Sequence, residues 1–155
     1  MRQSHTTEAR IGKRAVAMAE KDSRIQNLLD QLAKALTAGD GRTAASFWRT
    51  PAFVIGDEHE HEQVVASQQE VEQFFSGSKE QYNQRGITDT RADIQRLDWI
   101  TDRIALVEVR WPYLDAKGNE VGEETSTYLF KRDDTGELRL RLAIMHGAAE
   151  TPKQH

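Results

Sequence analysis

The sequence contains no cysteine. That excludes a disulfide framework, a thiolate zinc site and a cysteine nucleophile. No apolar run approaches ~18 residues, so no membrane span is expected. Lysine and arginine form no stripe and the net charge is −4, so nucleic acid is not an expected partner. Residues 1–21 carry Arg2, Arg10, Lys13 and Arg14 but lack the apolar core of a secretion signal. There is no Ser/His/Asp signature, glycine-rich phosphate loop, dinucleotide fingerprint or His-Glu-x-x-His helix motif. No cofactor and no metal are therefore expected, and a cytoplasmic location is the default reading.

What is present fits one domain: 155 residues, 37% hydrophobic and 30% charged. Residues 1–22 read as an N-terminal arm, partly flexible or helical, because Ile11, Ala15 and Met18 have helical spacing. The first firm helix is expected from Ser23, where Ser23-Arg24-Ile25-Gln26 has the form of a capping box. Ile25, Leu28, Leu29, Leu32, Ala35 and Leu36 make its apolar stripe. Gly39 is a natural stop, and Asp40 caps a short second helix through Phe47. Phe53-Val54-Ile55 and Val64-Val65-Ala66 read as two short strands around the polar loop 56–62. Ser67-Gln68-Gln69-Glu70 is a second capping box, opening a helix that carries Val71, Phe74, Phe75 and Tyr82 and ends before Gly86.

From Thr88 the apolar period becomes two. Strands are expected near 90–100, 103–114, 121–132 and 138–146, with type I turns and glycine bulges at Asp115–Asn119 and Asp133–Glu137. Residues 148–155 read as a flexible tail. Helices followed by an antiparallel meander indicate an α+β fold.

Turn closure gives a register. If Asp115 closes on Asn119 and Asp133 on Glu137, Arg110 opposes Glu124, and Glu124 opposes His146. One face then collects Ile104, Leu106, Tyr128, Phe130, Leu138, Leu140, Leu142 and Ile144 under the helices, with Glu108, Arg110, Glu124, Ser126 and His146 at its polar end. The opposite face carries Val107, Val109, Trp111, Tyr113, Thr125, Thr127 and Met145. So apolar a face suggests an interface, and self-association is its simplest use.

The helix ending Ala38-Gly39-Asp40, the short helix ending Phe47-Trp48, the strand Phe53-Val54-Ile55, the capped helix with Phe74-Phe75 and the closing meander with Gly136 resemble the nuclear transport factor 2-like superfamily. That group includes SnoaL-like and ketosteroid isomerase-like domains. The resemblance covers residues 23–147. It implies a cone-shaped, curved antiparallel sheet with a mixed edge, packed against three N-terminal helices, and a pocket between helices and sheet, often in a dimer. The steroid-isomerase-like members keep a general-base Asp on the first hairpin. The nearest acid here is Asp57, one position late, and residues 23–38 lack the helix-borne Tyr of those members.

Three functions are open. The first is a SnoaL-like domain binding a small apolar molecule, with Trp48, Tyr82, Arg110, Ser126 and Tyr128 as ligand contacts. The second is an acid/base enzyme (isomerase, dehydratase, cyclase or hydrolase) on such a molecule. There Glu108 or Glu124 is the base, His146 the proton partner and Arg110 the oxyanion stabiliser. The third is a dimeric scaffold without ligand. The Arg110–Glu124 pair also reads as a plain cross-strand salt bridge. His59 and His61 read as part of a solvated loop.

Overall fold

The computed structural model describes residues 2–56 and 63–150. Among the described residues there are four helices: α1 (Arg2–Ala38), α2 (Gly41–Ser46), α3 (Gln68–Ser76) and α4 (Ser78–Gln84). The strands are β1 (Trp48–Gly56), β2 (Gln63–Val65), β3 (Asp89–Thr90), β4 (Asp93–Thr101), β5 (Ile104–Leu114), β6 (Glu120–Arg132) and β7 (Leu138–Glu150). They form one sheet in the order β2-β1-β7-β6-β5, with both β3 and β4 paired to β5. Among the described residues, β1 and β7 run parallel and the other paired strands are antiparallel. The fold is α+β, a curved, unclosed sheet with helices over its concave face.

The helices depart from the expected elements in two places, and among the strands β1 starts earlier than expected, β7 runs on to Glu150, and the strand expected at 90–100 is split into β3 and β4. Ser23 does not cap a helix, because α1 runs unbroken from Arg2. The helix opened by Ser67 breaks at Gly77 into α3 and α4. The caps at Asp40 and Ser67 form as read: Asp40 accepts from the Thr43 amide and Ser67 from the Glu70 amide. Each satisfies one of the amides that a helix start leaves without a partner.

Helix α1 buries Ile25, Leu29, Leu32, Ala33 and Ala35. Polar bonds fix its position across the sheet. The Trp99 indole donates to Asp22 at 2.9 Å, and the Gln26 amide donates to the Ala92 carbonyl at 3.0 Å. Gly41 lets α2 lie directly on α3, since a Cβ there would stand 2.6 Å from the Glu72 carbonyl oxygen.

The register corrects the expected faces. Both turns close as anticipated: Asp115 and Asp133 accept from Gly118 and Gly136 and donate to the carbonyls of Asn119 and Glu137. Beyond the turns, each ladder slips. Tyr113 pairs with Gly122 but Leu114 with Glu120, which leaves Val121 as an extra residue on β6. Phe130 pairs with Leu140 but Leu129 with Leu142, so Arg141 is extra on β7. Ser126 pairs with Met145 but Thr125 with Gly147, so His146 is extra as well. Every such bulge exchanges the faces of the residues beyond it relative to the partner strand.

The helix-facing rows are therefore Trp111–Glu124–Ala148, Val109–Ser126–Met145, Val107–Tyr128–Ala143 and Ala105–Phe130–Leu140. Val107, Val109, Trp111 and Tyr113, expected on the outer face, lie in the core with at most 4% exposure. Met145 packs against the same core. Ile104, Leu106, Leu142 and Ile144, expected under the helices, belong to the outer rows. Thr125 and Thr127 lie on the outer face, as expected.

This assignment predicts opposite outcomes for two neighbouring substitutions. Val109→Glu places a carboxylate in the core and should cost more than about 3 kcal/mol. Leu106→Glu faces outward and should cost about 1 kcal/mol or less. Urea denaturation of both variants measures this; the reverse order would restore the register read from turn closure alone.

Candidate functional site

The bulges separate the residues that the sequence grouped. Arg110 lies on the outer face, in ion pairs with Asp93, Glu120 and Glu123. His146 bonds Thr127 Oγ1 at 2.8 Å through Nε2, and Thr127 pairs across the ladder with Glu108. Arg110, Glu108 and His146 thus share the outer face, and they do not meet Glu124. The expected Arg110–Glu124 pair is replaced by Arg110 opposite Thr125 and Glu124 opposite Trp111. The physical reason is the extra residue Val121.

Glu124 is left on the helix-facing side, in a row of aromatic side chains. The Tyr113 hydroxyl donates to Glu124 Oε2 at 2.8 Å. The Tyr82 ring lies 6.0 Å from that of Tyr113, and the Arg85 guanidinium sits 4.9 Å from the centre of the Tyr113 ring. One row deeper, the Trp111 indole donates to the Tyr128 hydroxyl at 3.0 Å, and Ser126 is buried beside it. Of the expected ligand contacts, Tyr82, Ser126 and Tyr128 thus surround Glu124. Arg110 does not. Trp48 lies elsewhere in the core, its ring 6.1 Å from Phe75, with its indole nitrogen buried and without a hydrogen-bond partner.

Local structure explains how Tyr82 and Arg85 reach this place. Ser78, at the start of α4, donates to the Leu36 carbonyl at 2.7 Å, which ties α4 to the end of α1. After α4 the chain turns at Gly86, whose φ of 75° suits a residue without a side chain. The Ile87 amide returns to the Tyr82 carbonyl at 2.8 Å, and the Thr88 amide reaches the Leu114 carbonyl at 2.8 Å. The last turn of α4 is thereby pinned above the end of β5 that carries Tyr113.

The electrostatics follow from this enclosure. Burial pushes the Glu124 carboxyl above the usual carboxylate range, because the charged form loses water. The Tyr113 hydrogen bond and the Arg85 charge pull it part of the way back. Tyr82, Tyr113 and Tyr128 are held well above the ordinary phenol value, first by burial and then by the Glu124 charge. All three stay neutral hydroxyls through the physiological range. The site therefore offers one carboxyl whose charged form burial disfavours, together with neutral hydroxyl donors and one guanidinium.

Asp57, His59 and His61 lie outside the described residues. Among the described residues no group of three or more His, Asp or Glu side chains is placed to hold a metal ion. Nor, among them, is any helix long and apolar enough to cross a membrane.

Helices over the concave face of a curved sheet, with a carboxylate among aromatics at one end, define the cone-shaped class expected from the sequence. The chain belongs to the family described as NTF2-like protein (DUF6841), whose match spans residues 19–148. Several solved structures share the fold. An NTF2-like protein with a cystatin-like fold from Novosphingobium aromaticivorans aligns with a TM-score of 0.63 at 9% identity, covering 86% of each chain. An NTF-2 like protein of unknown function from Shewanella oneidensis MR-1 aligns at 0.61 and 15% identity, covering 82% of this chain and 99% of the other. A domain of unknown function with a cystatin-like fold from Nostoc punctiforme aligns at 0.61 and 17% identity, covering 81% and 75%. At these identities the likeness concerns the fold alone. No curated protein matches the sequence.

A raised carboxyl pKa has a definite consequence for stability. The folded state holds the proton at pH values where the unfolded chain has released it. Glu124 therefore favours folding below its unfolded value, and that contribution is lost as pH rises through the folded value. Glu124→Gln keeps an acceptor for Tyr113 without the buried charge. It should melt higher than the wild type at pH 7, with the gap closing as pH falls through the raised folded value and fully closed once pH reaches about 4.3. Thermal melts across this range check it; a variant that melts lower at pH 7 would mean that Arg85 and Tyr113 outweigh burial.

Proposed function

We propose that this protein binds a small, mostly apolar molecule at the helix-facing end of the sheet, with Glu124 as its polar anchor. The observation that carries this reading is a carboxylate facing inward among Tyr82, Tyr113, Trp111 and Tyr128, hydrogen-bonded to Tyr113. A carboxylate is costly to bury, and pockets for small ligands combine apolar walls with a few placed polar groups. A ligand with one hydroxyl or amine group would give Glu124 a donor, while its apolar body meets the rings. The three similar structures named above have no stated activity, so the reading rests on the site alone.

A second reading of the same site has its own support. A carboxyl that burial raises above the usual range, hydrogen-bonded to Tyr113, suits general acid or base work, with Arg85 or Tyr113 stabilising a developing negative charge. That would make the protein an isomerase, dehydratase, cyclase or hydrolase of the SnoaL-like kind. The residues for this chemistry are Glu124, Tyr113 and Arg85 rather than Glu108, His146 and Arg110.

The outer face supports self-association as a homodimer. One ladder row runs Val64–Phe53–Leu142–Leu129–Leu106 across five strands, and the next includes Ile55 and Ile144. Val64, Phe53 and Ile55 are 57, 49 and 39% exposed. An apolar stripe of this extent on an otherwise charged chain fits contact with a second copy.

Two experiments test these readings. Ligand-observed NMR against a library of small alcohols, amines and carbonyl compounds should give hits that Glu124→Gln weakens at least about tenfold, the worth of one hydrogen bond to a charged group. A library without hits, or hits indifferent to residue 124, would remove the anchor. For the outer face, Phe53→Asp with Ile144→Asp should halve the mass in light scattering. An unchanged mass with intact circular dichroism would rule out this face as the interface.

A further inference from the structure

At the end of the sheet away from Glu124, six cationic side chains surround one cleft of about 530 Å³. Arg49 comes from the start of β1, Arg103 from the β4–β5 turn, Lys131 and Arg132 from the end of β6, and Arg139 and Arg141 from β7. They face two carboxylates in the cleft, Asp133 and Asp134. The whole chain carries a net charge of −4, so this concentration of positive charge is local.

Carboxylates of the described residues neutralise little of that charge. Among the described residues, only Arg139 of the six has a carboxylate partner, Glu137. Arg103 Nη2 is spent on the carbonyls of Arg132 and Asp133, at 3.2 and 3.3 Å, and Arg141 Nε on the Pro51 carbonyl at 3.3 Å. These bonds orient the guanidinium groups without cancelling their charge. Arg132 Nε is buried and has no hydrogen-bond partner. Asp133 is engaged in its own turn, accepting from the amides of Thr135 and Glu137 and from the Thr135 hydroxyl.

Two features of the fold collect these residues. The bulge at Arg141 adds a side chain that a regular ladder would not supply. The row Ile104–Lys131–Arg139 sets Lys131 beside Arg139. Like charges held this close repel one another, and a bound anion with more than one charge would relieve that repulsion. Guanidinium groups suit phosphate oxygens, because their planar donors match two oxygens at once.

We propose that this cleft binds a compact polyanion of the phosphate class, a diphosphate free or carried on a small molecule. The volume is that of a small-ligand pocket. A long nucleic-acid strand fits less well, because Asp102, Asp133 and Asp134 stand on the turns that border the cleft. The site is independent of the Glu124 end of the sheet and shares no residue with it.

The test is isothermal titration calorimetry of the full chain with inorganic pyrophosphate at low salt. Arg49 and Lys131 are both exposed, so the double variant Arg49→Ala, Lys131→Ala should stay folded by circular dichroism. One-site binding by the wild type is expected, weakened at least about tenfold in this variant. Arg96→Ala, on β4 outside the cleft, should bind as the wild type does. A nucleoside diphosphate that binds more tightly than pyrophosphate would assign the cleft to a carried diphosphate. Equal affinities would make the phosphates alone the recognised chemistry, and both results support the site. Absence of heat with pyrophosphate would overturn the proposal. So would an equal loss in Arg96→Ala, or tighter binding of a short DNA duplex.

Discussion

Three extra residues in the meander decide what this molecule presents to its interior. Side chains alternate along a strand, so every inserted residue exchanges inside for outside relative to the neighbouring strand. Val121 aligns Glu124 with Trp111 rather than with Arg110. Arg141 puts Ala143 and Met145, not Leu142 and Ile144, under the helices. His146 is moved to the outer face, where it meets Thr127. The inward carboxylate, the charged outer network around Arg110 and the apolar outer stripe all follow from these three slips.

The helices then act on what the sheet offers. Helix α1 covers the apolar rows, fixed by Trp99 to Asp22 and Gln26 to Ala92. Helix α4, anchored through Ser78 and through the returns at Ile87 and Thr88, closes the polar end. Enclosure is what raises the Glu124 carboxyl, and the Tyr113 hydroxyl with the Arg85 charge limits how far it rises. The same enclosure keeps three tyrosines neutral. Sheet register supplies the group, and helix packing sets its protonation.

Much of the architecture was legible in the residues. The caps at Asp40 and Ser67, the apolar stripe from Ile25 to Leu36, the four meander strands and both glycine turns carry local chemical signals, and each forms. The family resemblance rested on the same order and spacing. Faces were less legible, because a bulge leaves no signal of comparable strength. Val121, Arg141 and His146 are ordinary strand residues, and only pairing with the neighbouring strand reveals them as extra. Counting outward from correctly placed turns therefore assigned Val107, Val109, Trp111 and Tyr113 to the wrong side. Composition did offer one hint: the row Ala105, Val107, Val109, Trp111 is as apolar as a core strand requires. Arg85 carries no local signal in the sequence, because it lies just past a helix end, where its position depends on how the chain returns from Gly86.

The central claim is that Glu124 faces the interior and is shielded there. Carbon-13 NMR of the glutamate side chains, titrated with pH and assigned through Glu124→Gln, addresses it most directly. The account predicts that the Glu124 resonance titrates clearly above the ordinary glutamate midpoint of about 4.3, and that Tyr113→Phe moves it higher still. A Glu124 midpoint at or below that value, unmoved by Tyr113→Phe, would contradict it.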